Sequence, residues 1–236
     1  MGPALSVVIP AYNEEARLGP TLAHVATWLD ARPGDWELIV ADDGSTDGTA
    51  AVADRAAARW PSIRRVSLPA NRGKGAAVRA GVLASTGRRV LFCDADLATP
   101  IEELPKLAAA LDDGADIAIG SRALADSQIE VRQHPARELM GRTFNHLVRG
   151  LVMGGIKDTQ CGFKLLSSEA AHDLFARTRL DGFAFDVELL WLARGRYRVA
   201  EIPVVWRHVE QSKVSPGRDA ARMFVDVVRL RWLHRR

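Results

Sequence analysis

Four short stretches carry the residues that could do chemistry, and each follows an apolar run or opens a helix. Asp94-Ala95-Asp96 comes directly after Val90-Leu91-Phe92-Cys93. Two carboxylates two residues apart at the end of a buried strand can hold a hard divalent cation whose other ligands are substrate oxygens. The competing reading is a pair of solvated turn aspartates. Asp42-Asp43-Gly44-Ser45-Thr46-Asp47 ends a second apolar run. Its residue types suit a turn and a helix N-cap, but two adjacent acids exceed what a cap needs, so one is expected to accept hydrogen bonds from a ligand base or ribose. In Pro10-Ala11-Tyr12-Asn13-Glu14-Glu15 the tyrosine is either a half-buried rim aromatic or a surface for a nucleobase. Asn71-Arg72-Gly73-Lys74-Gly75 opens a helix, where backbone N–H groups and a lysine favour phosphate.

Other chemistries find less support. The spacing G-x-x-x-x-G-K-[ST] is absent. Gly73-x-Gly75 with an acid about 20 residues on half-matches the dinucleotide fingerprint, but Val78 stands where its third glycine belongs. There is no G-x-S-x-G, no H-E-x-x-H and no reactive-cysteine signature. His24, His134, His146, His172, His208 and His234 are scattered, as surface or packing residues are. Asp186 and Glu188 stand among aromatics in Phe183-Ala184-Phe185-Asp186-Val187-Glu188, where a carboxylate is costly to bury without partners. They either cap a helix or belong to a site.

The elements that must position these residues alternate. Strands are expected at 5–9 (stopped by Pro10), 36–41, 63–68, 90–93 and 116–120. Helices are expected after Pro10 on the Leu18, Leu22, Val25, Leu29 stripe, up to Trp60, and at 75–85 and 101–111. Alternating β and α units with continuously apolar strands predict a parallel sheet covered on both faces, with right-handed crossovers. Ligands then bind beyond the carboxyl ends of the strands, where the acids collect. The second half is less regular: a loop at 121–134, a helix at 137–152, a tight loop at 158–162 before a strand at 163–166, a helix at 185–192, a strand at 199–205 interrupted by Pro203, a loop at 210–217 and a last helix.

The chain has 236 residues, 47% hydrophobic and 26% charged, enough for one large domain without disulfide staples. Two cysteines exclude a disulfide-dense scaffold. Neither a signal peptide nor a membrane-length apolar run is legible, so a soluble cytosolic protein is expected. The net charge of +3 is uneven: eight Lys/Arg against three Asp/Glu leave residues 207–236 at +5 and the rest at −2. A basic patch at one end points to an anionic partner and not to a nucleic-acid binder.

Taken together, Val8-Ile9-Pro10-Ala11-Tyr12-Asn13-Glu14-Glu15, the Asp42-Asp43 turn, the Asn71–Gly75 loop, Asp94-Ala95-Asp96 and Gly120-Ser121-Arg122 resemble the inverting family 2 glycosyltransferases of GT-A fold. Asp158-Thr159-Gln160-Cys161-Gly162-Phe163-Lys164-Leu165-Leu166, Phe185-Asp186-Val187-Glu188-Leu189-Leu190 and Gln211-Ser212-Lys213 resemble the dolichyl-phosphate β-glucosyltransferase branch. The resemblance runs from Leu5 to about Arg231. It implies a GT-A, Rossmann-like, mostly parallel sheet flanked by helices, with a nucleotide-sugar half at 1–120, an acceptor half at 121–217 and a basic amphipathic helix at 218–236. It implies UDP-glucose as donor, a polyprenyl phosphate as acceptor, Mg²⁺ or Mn²⁺ as cofactor, and a β-linked product. Pro10, Ala11, Tyr12, Glu14, Asp42, Asp43, Lys74 and Ala95 would line the donor site, with Asp94 and Asp96 on the metal. Arg122, Arg137, Lys164, Arg207 and Lys213 would face phosphates; Asp96, Arg122, Arg137 and Asp186 would act in transfer. Ala98 replaces an oxygen-bearing residue found there in related transferases, and the N-terminal membrane helix usual in eukaryotic members is missing from the sequence. A GDP-mannose or UDP-N-acetylhexosamine donor is the nearest alternative, a nucleotide-sugar-binding module without turnover the remote one. The last helix either rests with Trp232 on the cytoplasmic face of a membrane or simply packs on the domain.

Overall fold

Strand side chains alternate between two faces, and here both faces are covered. In β1 (Leu5–Ala11), Val7 and Ile9 enter one core and Val8 the other. The same split divides Leu38 and Val40 from Ile39 in β2 (Trp36–Asp42), and Leu91 and Cys93 from Val90 and Phe92 in β4 (Arg89–Cys93). The first core is closed by helices α1 (Glu15–Asp30), α2 (Thr49–Arg59) and α4 (Leu104–Asp112). The second is closed by α3 (Lys74–Leu83), α5 (Ser168–Phe175), α6 (Phe185–Ala193) and α7 (Arg218–Leu233). Phe92 centres the second core, edge-on to Phe175 at 6.0 Å and tilted against Phe185 at 5.8 Å. The computed structural model describes residues 2–131, 155–207 and 218–234.

With β3 (Ile63–Ser67), β5 (Ile117–Ser121), β7 (Phe163–Ser167) and β8 (Val199–Pro203), the main sheet has seven strands in the order β3-β2-β1-β4-β7-β5-β8. All its pairings are parallel except those of β7, which runs antiparallel to both β4 and β5. The expected mostly parallel, helix-flanked sheet is therefore present. A second ladder joins β6 (Gln128–Val131) to β9 (Val205–Arg207).

Several boundaries differ from the sequence expectation. β1 does not stop at Pro10 but runs to Ala11, paired with β2 throughout. Its pairing with β4 ends at Val8, so the proline stands where β1 has one neighbour and a missing N–H is tolerated. The 101–111 helix begins as a 3₁₀ turn at Ile101–Glu103. The expected 121–134 loop contains β6, and the 199–205 strand is split at Pro203 between two sheets. Helix α5 was not expected at all, although Ala170, Ala171, Leu174 and Phe175 have helical spacing and the Ser167 hydroxyl caps it by accepting from the Ala170 N–H. The 137–152 helix and the 210–217 loop fall outside the described residues.

The last helix packs on the domain: Val227 and Leu230 are buried in the second core, with Met223 and Leu233 against it. Glu188, fully buried, accepts from the Arg179 and Leu180 N–H groups and meets His234 Nε2 at 2.6 Å. Of its two readings, Glu188 takes a structural one, as a buried latch for the chain end.

Candidate active site

The strand order reverses between β1 and β4, which opens a crevice at their carboxyl ends. Ala11, Asp42 and Cys93 end the three strands beside it. The loops that follow include two non-glycine residues in left-handed backbone, Asn13 (φ 53°) and Leu97 (φ 46°). Asn is among the residues that visit this region, and here its side chain accepts from the Thr46 N–H at 2.8 Å, tying the two strand-end loops together. Leu97 has no such excuse, and strain at a loop beside two acids is typical of functional sites.

Asp42 and Asp43 are almost entirely buried. Asp42 accepts from the Ser45 N–H at 3.0 Å and the Ser67 hydroxyl at 3.2 Å. Asp43 accepts from the Asn71 side chain (2.8 Å) and from the N–H groups of Arg72 (2.9 Å) and Gly73 (2.7 Å). Burial raises its pKa above the ordinary value although two of these bonds oppose the rise. Asp43 thus shapes the loop that opens α3. That loop also needs Gly73, which has φ +121° and passes 2.5 Å from Asp181 O at the position a Cβ would take. Tyr12 is at the rim, 36% exposed. The Glu14 carboxylate is paired with Arg17, and the Ala95 carbonyl accepts from the Thr21 hydroxyl at 2.7 Å.

One residue after this loop, Lys74 Nζ lies 2.6 Å from Asp94 Oδ1. Burial disfavours the ammonium, but Asp94, Asp186 and Asp96 together hold its pKa above the usual lysine value. The Asp94 carboxylate occupies the space a Cβ on Gly162 would need, so a larger residue there would force the carboxylate to turn. Burial and the Asp94 charge raise the pKa of Asp96, against the Ala98 N–H bond and the Lys74 and Arg17 charges. The two acids therefore share one half-buried space and repel each other. A hard divalent cation suits such a pair. Among the described residues no third acid, histidine or cysteine completes a cluster, so its other ligands would be substrate oxygens or water.

Arg122 follows β5, and its Nε and Nη2 hold both oxygens of Asp158 at 2.7 and 2.9 Å. Its charge also reaches Asp94, and its guanidinium lies 5.6 Å from the Trp206 ring. Arg207 is exposed, and its N–H donates to Ala98 O at 2.7 Å, two residues beyond Asp96. Arg122 thus borders the acid pair, and the Arg207 backbone joins the loop that follows it. Lys164 is fully buried, with its ammonium on Asp186 and 2.6 Å from Cys161 O. Its burial in β7, between β4 and β5, makes it the counter-ion of Asp186. Asp186 is equally enclosed, so it lies behind Lys74 as charge support and not as a base. Arg137 and Lys213 are outside the described residues.

Sequence reasoning gave no role to Arg17, Asp158, Gly162, Trp206 or Glu201, whose carboxylate accepts from the Asp158 N–H at 2.8 Å. Thr159 Oγ1 and Gln160 Nε2, in the loop facing Asp94, are buried without a hydrogen-bond partner among the described residues. Native buried polar atoms are normally satisfied, so an orphaned pair beside a crevice is a signal only coordinates can give. Nucleophilic catalysis stays unsupported: burial raises the pKa of Cys93, and that of Cys161 to about 11. Among the described residues, His24 meets Glu102, His172 lies between Ser168 O and Ser85 O, and His234 meets Glu188, each away from the acid pair; His134, His146 and His208 lie outside the described residues.

The Asp158–Arg122 pair predicts a pH effect. Burial opposes the Asp158 anion, but Arg122 outweighs it and lowers the pKa from 3.8 to about 2. A depressed carboxylate pKa stabilises the fold above the unfolded value and loses that stabilisation as pH falls toward the folded value. The contribution of roughly 2 kcal/mol should disappear between pH 4 and 2. Urea unfolding of Asp158→Asn should show a flatter decline over that window than the parent; identical slopes would refute the assignment.

The family model described as glycosyl transferase family 2 matches residues 6–175. A dolichyl-phosphate beta-glucosyltransferase of Trichomonas vaginalis is 39% identical, over 94% of this chain and 69% of the relative. The Homo sapiens protein of that name is also 39% identical, over 97% of this chain and 76% of its own length. Among solved structures, glucosyl-3-phosphoglycerate synthase from Mycobacterium tuberculosis, crystallised with Mn²⁺, UDP and glucosyl-3-phosphoglycerate, superposes with a TM-score of 0.72. It covers 98% of this chain and 80% of the synthase, at 24% identity, so what is shared is the fold.

Proposed function

Because the chain belongs to glycosyl transferase family 2 and is a glycosyltransferase of GT-A-like fold, we propose that it transfers glucose from UDP-glucose to a polyprenyl phosphate of dolichyl type, with inversion, to give a β-linked lipid phosphosugar. The observation that carries this reading is the 39% identity, over nearly the whole chain, to proteins named dolichyl-phosphate beta-glucosyltransferase. The acid pair at the crevice agrees with it, since a nucleotide sugar brings a diphosphate that needs neutralising.

In this reading the acceptor phosphate oxygen attacks the anomeric carbon as the bond from that carbon to the UDP oxygen breaks, and the electron pair leaves on UDP. A phosphate monoester is largely a dianion at pH 7, so the attacking oxygen needs no base. In agreement, among the described residues His24, His172 and His234 are each turned to another partner. The protein's part is positioning and charge. Asp43 fixes the loop that presents Lys74 and backbone N–H groups, and Tyr12 and Asp42 border the base and ribose. Asp94 and Asp96 would hold Mg²⁺ or Mn²⁺, which when bound neutralises charge developing on the diphosphate. Arg122, locked by Asp158, and Arg207 draw the acceptor anion toward the donor.

A panel of nucleotide sugars offered with a short polyprenyl phosphate and Mg²⁺ or Mn²⁺, followed by UDP or GDP release, tests it. UDP-glucose should turn over at least about tenfold faster than GDP-mannose or UDP-N-acetylglucosamine, and only with the lipid phosphate present. Preference for another donor, or release independent of the acceptor, would overturn it.

A further inference from the structure

Helix α7 has two apolar faces. At 100° per residue, Met223, Val227, Leu230 and Leu233 fall on the side turned to the second core. Phe224, Val228, Trp232 and Val225 fall within an arc of about 100° on the opposite side. Phe224 is 45% exposed, Val225 44% and Trp232 57%, and no other described helix offers three large apolar side chains to solvent in this way. Exposed Arg222 and Arg229 border the stripe. Packing on the domain accounts for the first face and leaves the second unexplained.

We infer that the outward face of α7 docks on an anionic lipid bilayer. The chemistry of the stripe names this occupant: apolar and tryptophan side chains flanked by arginines match the boundary between acyl chains and acidic headgroups. A net +5 over residues 207–236 extends the attraction. A second copy of the chain fits poorly, since a two-fold contact through the stripe would oppose like-charged arginines. The position is suited to the task. Asp226 Oδ2, on α7, is 3.9 Å from the position a Cβ would take on Gly182, and Gly182 Cα is 3.4 Å from the position a Cβ would take on Gly73. One short loop therefore separates the helix from the loop that presents Lys74. The inference deepens the reading of the acceptor as a membrane lipid and rests on it, yet the two can fail separately.

The experiment is flotation of the full chain with phosphatidylcholine vesicles, with and without phosphatidylglycerol, beside Phe224→Ser/Trp232→Ser. The parent should float with the anionic vesicles, more weakly at high salt, and the double variant should partition at least about tenfold less. Release of UDP with a short, water-soluble polyprenyl phosphate and no vesicles should be equal in both, which shows the variant folded. Absence of flotation by the parent, equal flotation by the variant, or a parent dimer that the double substitution turns into a monomer would each overturn the docking. A chain that floats but makes no lipid phosphosugar keeps the docking and discards the acceptor.

Discussion

Asp96→Asn should remove nearly all turnover while leaving the protein as stable as before, or more so. Asparagine keeps the shape of the side chain and the oxygen that accepts from the Ala98 N–H at 3.0 Å, but not the charge. In the proposed reaction that charge helps to hold a cation worth several kcal/mol in the transition state, or about a thousandfold in rate. The fold gains from the same change, because burial and Asp94 already work against the Asp96 anion. The check is kcat/KM for UDP-glucose beside a thermal melt. Turnover within tenfold of the parent, or a melt lowered by several degrees, would count against the site.

Lys164→Met carries the opposite signature. It leaves the Asp186 carboxylate buried without its nearest counter-ion, and breaking such a pair from one side costs about 3–5 kcal/mol. Lys74 also faces Asp186 but is drawn to Asp94, so it compensates only in part. Lys164→Met/Asp186→Leu, which removes both charges, should recover much of the loss. Urea unfolding of Lys164→Met, Asp186→Leu and the double variant measures this as a cycle. A single variant as stable as the parent would show that Lys164 is not a structural counter-ion.

The contrast between Asp96 and Lys164 shows where sequence reading succeeds. The β-α alternation of the first 120 residues was legible because buried strands and amphipathic helices have different periods. Asp42, Asp43, Asp94 and Asp96 were legible as site candidates because acids rarely collect after apolar runs. Lys164 misled: a lysine in a motif reads as a ligand for phosphate, and only its burial in β7, between β4 and β5, shows it to be the counter-ion of Asp186. Arg122 was expected, but its partner Asp158 was not, because 36 residues separate them and nothing local links them. β6 and β9 escaped for the same reason, since a two-stranded ladder formed across about 75 residues has no local period to announce it.

β7 enters the sheet between β4, which leads to Asp94, and β5, which leads to Arg122. The ribbon that separates these strands comes from beyond residue 160, so the later part of the chain is sewn into the earlier one along two ladders. Exchanging the C-terminal portion for that of another transferase would tear both seams. In this scaffold the loops beyond the strands can change residue by residue, but the two halves cannot be traded as modules.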